Sequence, residues 1–170
     1  MVGPAGRPLI FLDVDGPLIP LRGRPVGRRI AVGQLTPGGG RGDTGNPLVN
    51  RLDPEDGRRL LALRCQLVWA TTWMSDANDV VAPRLGLPRL PVVDFPDDEE
   101  IAPGLHGKTI HVSRWAGRRP FAWLDDETTE ADRRWVRENH PARALVHRVD
   151  PMTGLTDRDF DRVRQWLAVP

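Results

Sequence analysis

Short apolar runs alternate with helix-like segments along the chain, and this alternation predicts the order of its elements. Five apolar runs end at polar or turn residues, as buried strands do; they are residues 9–12, 66–70, 90–93, 121–124 and 144–147. Helix-start signals or apolar residues at helical spacing mark four more segments, residues 53–63, 75–86, 129–139 and 156–167. Strands that alternate with helices predict an α/β fold, with a parallel sheet of about five strands and helices on both faces.

Residues 108–116 fit two kinds of element. Their β-branched side chains suit a strand, whereas Gly117 as a stop signal and the apolar positions Val112, Trp115 and Ala116 favour a short helix. We expect a helix here.

The length of 170 residues fits one domain, which we expect to cover residues 1–170. Residues 17–52 lack a clear periodic pattern and contain the glycine-rich stretch 36–42, which cannot hold regular structure throughout. We predict that this segment is a flap or minimal cap inserted after the first strand.

Composition excludes several classes of protein. A net charge of +1 argues against the strongly basic domain typical of bulk nucleic-acid binding. One cysteine, Cys65, excludes a disulfide framework and a cysteine-rich metal site. No apolar run approaches the length of a membrane span, and the N-terminus lacks a secretory signal pattern. We therefore expect a cytoplasmic protein with no membrane association, and nothing indicates an obligatory protein partner.

Polar residues follow three of the predicted strands. Asp13 and Asp15 come after the first strand, Thr71 and Thr72 after the second, and Asp125 and Asp126 after the fourth. Ligands of open α/β sheets bind at the carboxyl ends of the strands, so these side chains are expected to converge. Carboxylates about 4 Å apart repel by roughly 4 kcal/mol at an effective dielectric constant of about 20. A divalent cation removes that repulsion, and ligands that are all oxygen favour magnesium.

Lys108 is the only lysine in a chain with 24 basic residues. It lies just before the element that leads into the fourth strand. Two explanations stand side by side: chance retention at a surface site, or a chemical requirement for an ammonium group.

Four segments together resemble the motifs of the haloacid dehalogenase (HAD) superfamily of aspartate-nucleophile phosphatases. Residues 9–16 (LIFLDVDG) are similar to its first motif, and residues 68–71 (VWAT) to its second. Lys108 resembles the basic residue of the third motif, and residues 123–126 (WLDD) resemble the fourth. The order and spacing agree over nearly the whole chain. Residues 69–73, Ala77, Asn78 and residues 123–127 are also similar to a compact HAD domain associated with RNA-repair proteins.

The resemblance implies a Rossmann-like fold and a set of catalytic roles. Asp13 would attack phosphorus and form an aspartyl-phosphate. Asp15 would protonate the leaving oxygen and then activate water. Thr71 would donate a hydrogen bond to the phosphoryl group, and Lys108 would offset negative charge on the phosphate and on Asp13.

The resemblance also implies a magnesium cofactor. The ion would bind the Asp13 carboxylate, the backbone carbonyl of Asp15 and Asp126, with Asp125 in support. Its role would be to orient the nucleophile and to neutralise phosphoryl charge.

Substrate contacts are expected from Gly16, Thr72 and Trp73, which adjoin these residues. Thr71 and Thr72 both fit the second motif, and we favour Thr71 because it directly follows the apolar run. Pro17 departs from the superfamily, where threonine or valine usually follows the glycine, so the turn after the nucleophile is expected to differ.

The short insertion favours an open cleft that admits a bulky phosphate ester, such as a nucleotide, a nucleic-acid end or a phosphoprotein. Five arginines on it are available to hold an anion: Arg22, Arg24, Arg28, Arg29 and Arg41. We expect a magnesium-dependent phosphohydrolase that acts on a phosphorylated small molecule or nucleic-acid end. Two alternatives are a phosphotransferase with the same intermediate and a non-catalytic magnesium-binding module.

Overall fold

A computed structural model of the chain describes residues 6–22, 47–96 and 103–169. Most of the predicted flap, residues 23–46, lies outside the described residues, and so do four of its five arginines.

Eleven elements make up the described parts of the chain, and they occur in the predicted alternation. The strands are β1 (Leu9–Leu12), β2 (Gln66–Trp69), β3 (Phe121–Asp125) and β4 (Ala144–Arg148). The helices are α1 (Pro54–Ala62), α2 (Ala82–Leu85), α3 (Thr109–Ala116), α4 (Glu130–Asn139) and α5 (Asp157–Ala168). A 3-10 helix (Pro47–Arg51) precedes α1, and a π-helical segment (Ala77–Val81) leads into α2. The helix expected at residues 108–116 is therefore confirmed as α3.

The sheet is parallel throughout, with strand order β2-β1-β3-β4. The prediction of a strand at residues 90–93 is wrong: among the described residues this segment makes only one isolated bridge, between Val92 and Trp69, so the sheet has four strands and not five. Pro88 and Pro91 explain the difference, because proline has no N–H group to donate to a strand ladder. The segment still lies along β2, where the Val93 N–H donates to the Trp69 carbonyl.

Helices cover both faces of the sheet, as predicted, because alternate strand residues point to opposite sides. Ile10 and Leu12 belong to a core packed with apolar residues of α1, α2 and α5, which include Leu60, Leu85 and Phe160. Leu9 and Phe11 belong to a second core, shared with Val112 of α3 and Val136 of α4. All four residues of β1 are fully buried, so this central strand anchors both cores.

Three helix starts are fixed by side-chain caps, of which those at Asp53 and Thr129 are expected from the sequence. Asp53 precedes α1 and accepts a hydrogen bond from the Glu55 N–H at 2.9 Å. Capping boxes open α4, at Thr129 with Asp132, and α5, at Thr156 with Asp159. These bonds satisfy amide groups that have no partner within the helix. None of the helices in the described residues is long and apolar enough to cross a membrane.

Gly57 permits close packing of α1 against α2. A Cβ atom there would lie 1.8 Å from the Leu85 carbonyl oxygen, which belongs to the backbone and cannot rotate away. We expect Gly57→Ala to lower the free energy of unfolding by about 2 kcal/mol through overpacking. Alanine's helix propensity, better by about 1 kcal/mol, would act in the opposite direction. Urea denaturation measures the change.

The control for this substitution is Arg58→Ala, an exposed change on the same helix, with an expected effect within about 0.5 kcal/mol. A Gly57→Ala protein as stable as the wild type would contradict the packing argument.

Candidate active site

The carboxyl ends of β1, β2 and β3 meet at one edge of the sheet and form a cleft of about 250 Å³. Asp13 directly follows β1, and its N–H donates to the Leu124 carbonyl of β3 at 3.0 Å, which holds the two strand ends together. Among the described residues, nine line the cleft: Asp13, Asp15, Gly16, Leu21, Thr72, Lys108, Asp126, Glu127 and Pro151.

A buried lysine joins two carboxylates at the floor of this cleft. The Lys108 Nζ donates to Asp13 Oδ2 at 2.6 Å and to Asp125 Oδ2 at 2.9 Å. The exposed fractions of Asp13, Lys108 and Asp125 are only 5%, 6% and 0%. The remaining oxygens of both carboxylates accept backbone N–H groups, from Val14 at 2.7 Å and from Glu127 at 2.8 Å. The hydrogen bonds therefore fix the orientation of both carboxylates.

Burial and charge perturb the titration of this cluster. Burial raises the pKa of Asp13 to about 6, against the lowering effect of the Lys108 ammonium and with a further raising contribution from Asp125. Burial disfavours the charged form of Lys108, yet the Asp13 and Asp125 carboxylates together raise the pKa of this lysine. One ammonium thus serves two carboxylates, and Asp13 is mainly ionised at neutral pH.

The acidic residues of the cleft fit a divalent cation. Asp13, Asp125 and Asp126 each offer a carboxylate oxygen, and these oxygens lie within 4.8 Å of one another. Three carboxylates against one ammonium leave a net charge of about −2 when all are ionised. Burial also raises the pKa of Asp126, which shows the cost of keeping its charge without a partner. Oxygen-only ligands are the set that magnesium prefers.

Asp15 and Trp73 are hydrogen-bonded across the cleft. The indole Nε1 of Trp73 donates to Asp15 Oδ2 at 2.9 Å. Trp73 lies in a sharp turn after β2, in which the next residue, Met74, has a left-handed backbone with φ of +48°. The indole N–H of Trp73, a residue that the sequence predicts to contact substrate, thus orients the carboxylate of Asp15.

The two threonines after β2 occupy different environments. Thr71, favoured in the sequence for phosphate contact, is fully buried, and its Oγ1 accepts the Trp73 N–H at 3.3 Å. Thr72 is exposed and lines the cleft. Of the two threonines, Thr72 is therefore the one that lies on the cleft wall.

Gly16 allows Asp126 to approach the loop after β1. Its backbone is left-handed, with φ of +84°, and an added Cβ would lie 2.5 Å from the Cγ of Asp126. The next residue, Pro17, accepts the Leu155 N–H at 2.9 Å through its carbonyl, so the loop is tied to the segment that follows β4.

Several residues around the cleft were not assigned a role from the sequence. Glu127 directly follows Asp125 and Asp126, and Pro151 follows β4. Because sites form at the carboxyl ends of strands, the positions of both residues in the sequence could have indicated that they line the cleft. Asp132 supports Lys108 indirectly: its Oδ1 accepts the His106 N–H at 2.8 Å and the Thr109 hydroxyl at 2.6 Å. Together these bonds tie the segment that carries Lys108 to the start of α4.

Gly16→Ala is expected to displace Asp126 and to raise the magnesium concentration needed for half-maximal activity. Gly86 offers a matched control, because it also has a positive φ, +67°, while its added Cβ would meet nothing within 4 Å. Both variants should lose about 1 kcal/mol of stability from the left-handed backbone. Only Gly16→Ala should change the magnesium titration of phosphate-ester hydrolysis; equal magnesium curves would contradict the contact with Asp126.

Comparison with protein families gives one match that agrees with this geometry. The model described as the HAD domain in Swiss Army Knife RNA repair proteins matches residues 9–160, which include all four motifs. No curated protein and no solved structure matches the sequence significantly. The family match covers most of the chain, from β1 into α5. The chain therefore belongs to the family of HAD domains found in Swiss Army Knife RNA repair proteins.

Proposed function

We propose that this protein is a magnesium-dependent phosphohydrolase with Asp13 as its nucleophile. Membership in the HAD domain family implies phosphohydrolase or phosphotransferase chemistry with magnesium. The observation that carries the proposal is the position of the Asp13 carboxylate, bonded to the only lysine at the floor of an open cleft and close to Asp126.

In the first step, a carboxylate oxygen of Asp13 attacks phosphorus, and the bond from phosphorus to the ester oxygen breaks. Asp13 is held by the Val14 N–H and by Lys108, so little reorientation is needed before attack. The Lys108 ammonium also offsets charge that develops on the phosphoryl oxygens. Thr72, on the cleft wall, is the residue that we assign to a phosphoryl hydrogen bond; Thr71 then supports the turn beneath it.

Asp15 would donate a proton to the departing ester oxygen and later accept one from water. That water attacks the aspartyl-phosphate, the bond between phosphorus and Asp13 breaks, and inorganic phosphate leaves. The Trp73 indole N–H, which donates to Asp15, holds this carboxylate on the cleft side.

The metal ligands in this proposal are Asp13, Asp126 and the backbone carbonyl of Asp15, with Asp125 holding Lys108 behind them. Magnesium supplies charge neutralisation of the phosphoryl group and alignment of the nucleophile. The cluster's excess of negative charge supports this assignment.

The proposed substrate is an accessible phosphate ester, with a nucleic-acid end or nucleotide as the main candidate. The family description places related domains in RNA repair proteins. The exposed side chains of Asp15 and Thr72 on the cleft wall support access by a large substrate.

Asp13→Asn should abolish magnesium-dependent hydrolysis of p-nitrophenyl phosphate, because an amide cannot form the aspartyl-phosphate. Asp126→Asn should retain the nucleophile but require more magnesium for half-maximal rate. Asp161→Asn, an exposed acid on α5, is the control and should match the wild type. Circular dichroism would confirm that the variants are folded.

An Asp13→Asn protein with wild-type turnover would exclude Asp13 as the nucleophile. Addition of an acceptor alcohol distinguishes the phosphotransferase alternative, since a transferase would form a new phosphate ester in place of inorganic phosphate. A folded wild type that binds magnesium but hydrolyses no member of a phosphate-ester panel would favour the non-catalytic module.

Trp73→Phe should lower kcat more for an alkyl phosphate than for p-nitrophenyl phosphate. An alkoxide leaves poorly without a proton, so its release depends on a correctly oriented Asp15, and we expect a difference of roughly tenfold between the two esters. Trp115→Phe is the control, because Trp115 packs edge-on against Phe11 away from the cleft. Equal losses on both esters would show that Trp73 is only structural.

A further inference from the structure

A second groove, larger than the cleft, runs along the outer edge of β4. Its volume is about 570 Å³, and its walls come from α4 and α5, which flank the strand on opposite faces. Its described lining residues are apolar side chains, His147 and four arginines. The arginines are Arg133, Arg137, Arg143 and Arg162.

The arginines of this groove carry a net positive charge, because no carboxylate is among its described lining residues and, of the four, only Arg133 has an acidic partner, Glu130 at 3.1 Å. Arg133 and Arg143 are held in place: Arg133 donates to the Val146 carbonyl at 3.2 Å, and Arg143 donates to the Trp166 carbonyl at 2.7 Å. Within the described residues, Arg137 on α4 and Arg162 on α5 are exposed and have no acidic partner. The groove thus has two arginines that are held by backbone carbonyls and two exposed arginines that have no acidic partner among the described residues.

Composition alone does not explain this arrangement. The whole chain has 24 basic and 23 acidic residues, so a random patch of its surface would contain both signs. Some exposed arginines elsewhere are paired, as Arg89 is with Asp79 and Arg164 with Asp161. A groove whose charged lining residues, among those described, are all arginines therefore indicates an anionic ligand.

The groove leads to the catalytic cleft. β4 rises about 3.3 Å per residue, so Arg148 at its carboxyl end lies about 13 Å along the strand from Ala144. The Arg148 Nε donates to the Asp126 carbonyl at 2.9 Å, and Pro151, three residues later, lines the cleft. A polyanion with one end at Asp13 would meet this line of arginines as it extends away.

We propose that the groove between α4 and α5 binds the sugar-phosphate backbone of a single-stranded nucleic acid whose terminal phosphate is the substrate at Asp13. The proposal rests on the proposed phosphohydrolase function for the position of that terminal phosphate. Arginine suits the role because its planar guanidinium donates two parallel hydrogen bonds to a phosphate.

The test measures binding apart from catalysis. The probe is a fluorescein-labelled oligouridylate of ten nucleotides without a terminal phosphate, titrated in magnesium-free buffer and followed by fluorescence anisotropy. The double variant R137A/R162A should bind roughly tenfold more weakly, and the slope of log K against log salt should fall by about 1.4, at about 0.7 per lost phosphate contact on a single strand. The matched control R58A/R89A removes two exposed charges outside the groove and should bind as the wild type does.

A second measurement connects the groove with the cleft. The kcat/KM of R137A/R162A should fall further for a terminally phosphorylated ten-nucleotide RNA than for p-nitrophenyl phosphate. If the two values fall equally, the groove does not hold the substrate and the proposal is overturned.

Binding losses that are equal in both double variants would also overturn it, since they would reflect net charge alone. Competition by a ten-residue polyglutamate at the same concentration as RNA would assign the groove to an acidic peptide instead. A wild type that shows groove-dependent RNA binding but no hydrolysis would contradict the phosphohydrolase function while supporting the groove as a nucleic-acid site, so the two failures are distinguishable.

Discussion

The contact between the Lys108 ammonium and the carboxylates of Asp13 and Asp125 is the constraint on which the site depends. Burying three charged groups costs several kcal/mol per ion unless their hydrogen bonds are satisfied. Here the lysine donates to one oxygen of each carboxylate, and backbone N–H groups donate to the other oxygen of each. Removal of Lys108 would leave two buried carboxylates without a counter-charge, whereas removal of either carboxylate would leave a one-to-one ion pair. The cluster therefore joins the candidate site to the fold, because Lys108 links the residue after β1 to the last residue of β3.

The sheet order explains why these groups meet. β1 lies between β2 and β3, so the residue after β1 has a threonine turn on one side and an acidic strand end on the other. Both cores anchor β1, which leaves Asp13 little freedom to move. Lys108 comes from outside the sheet, at the start of α3, and Asp132 fixes its segment through bonds to His106 and Thr109. The capping box of α4 thereby also positions Lys108.

The sequence predicted most of the fold because its signals are local. Apolar runs marked β1 to β4, and capping residues such as Asp53 and Thr129 marked the helices. The segment at Val92 was assigned as a strand because an apolar run does not show whether its amide groups pair; the neighbouring prolines limited it to one bridge. The structure brings Asp13, Lys108, Asp125 and Asp126 together, as strand-end reasoning and the family resemblance expected.

Side-chain direction was harder to predict. The bond from Trp73 to Asp15 depends on a turn with an unusual backbone at Met74, and no residue pattern signals the angle of an indole. The same turn decides that Thr72, and not Thr71, reaches the cleft surface. Asp132 also accepts hydrogen bonds from His106 and Thr109, which lie more than twenty residues away along the chain. Its role in the capping box could be predicted from the local sequence, whereas these contacts with the segment of Lys108 could not.

The two outer strands of the sheet also bear on whether the sheet can pair with a second copy of the chain. A strand at the edge of a sheet presents unpaired N–H and carbonyl groups that can pair with another chain. Along β2, the proline-flanked segment at Val92 covers that edge. Along β4, the Arg133 side chain occupies the Val146 carbonyl, and the neighbouring arginines repel the same edge of a second molecule. The positive charge that we assign to ligand binding would thus also keep the exposed edge from growing into an intermolecular sheet.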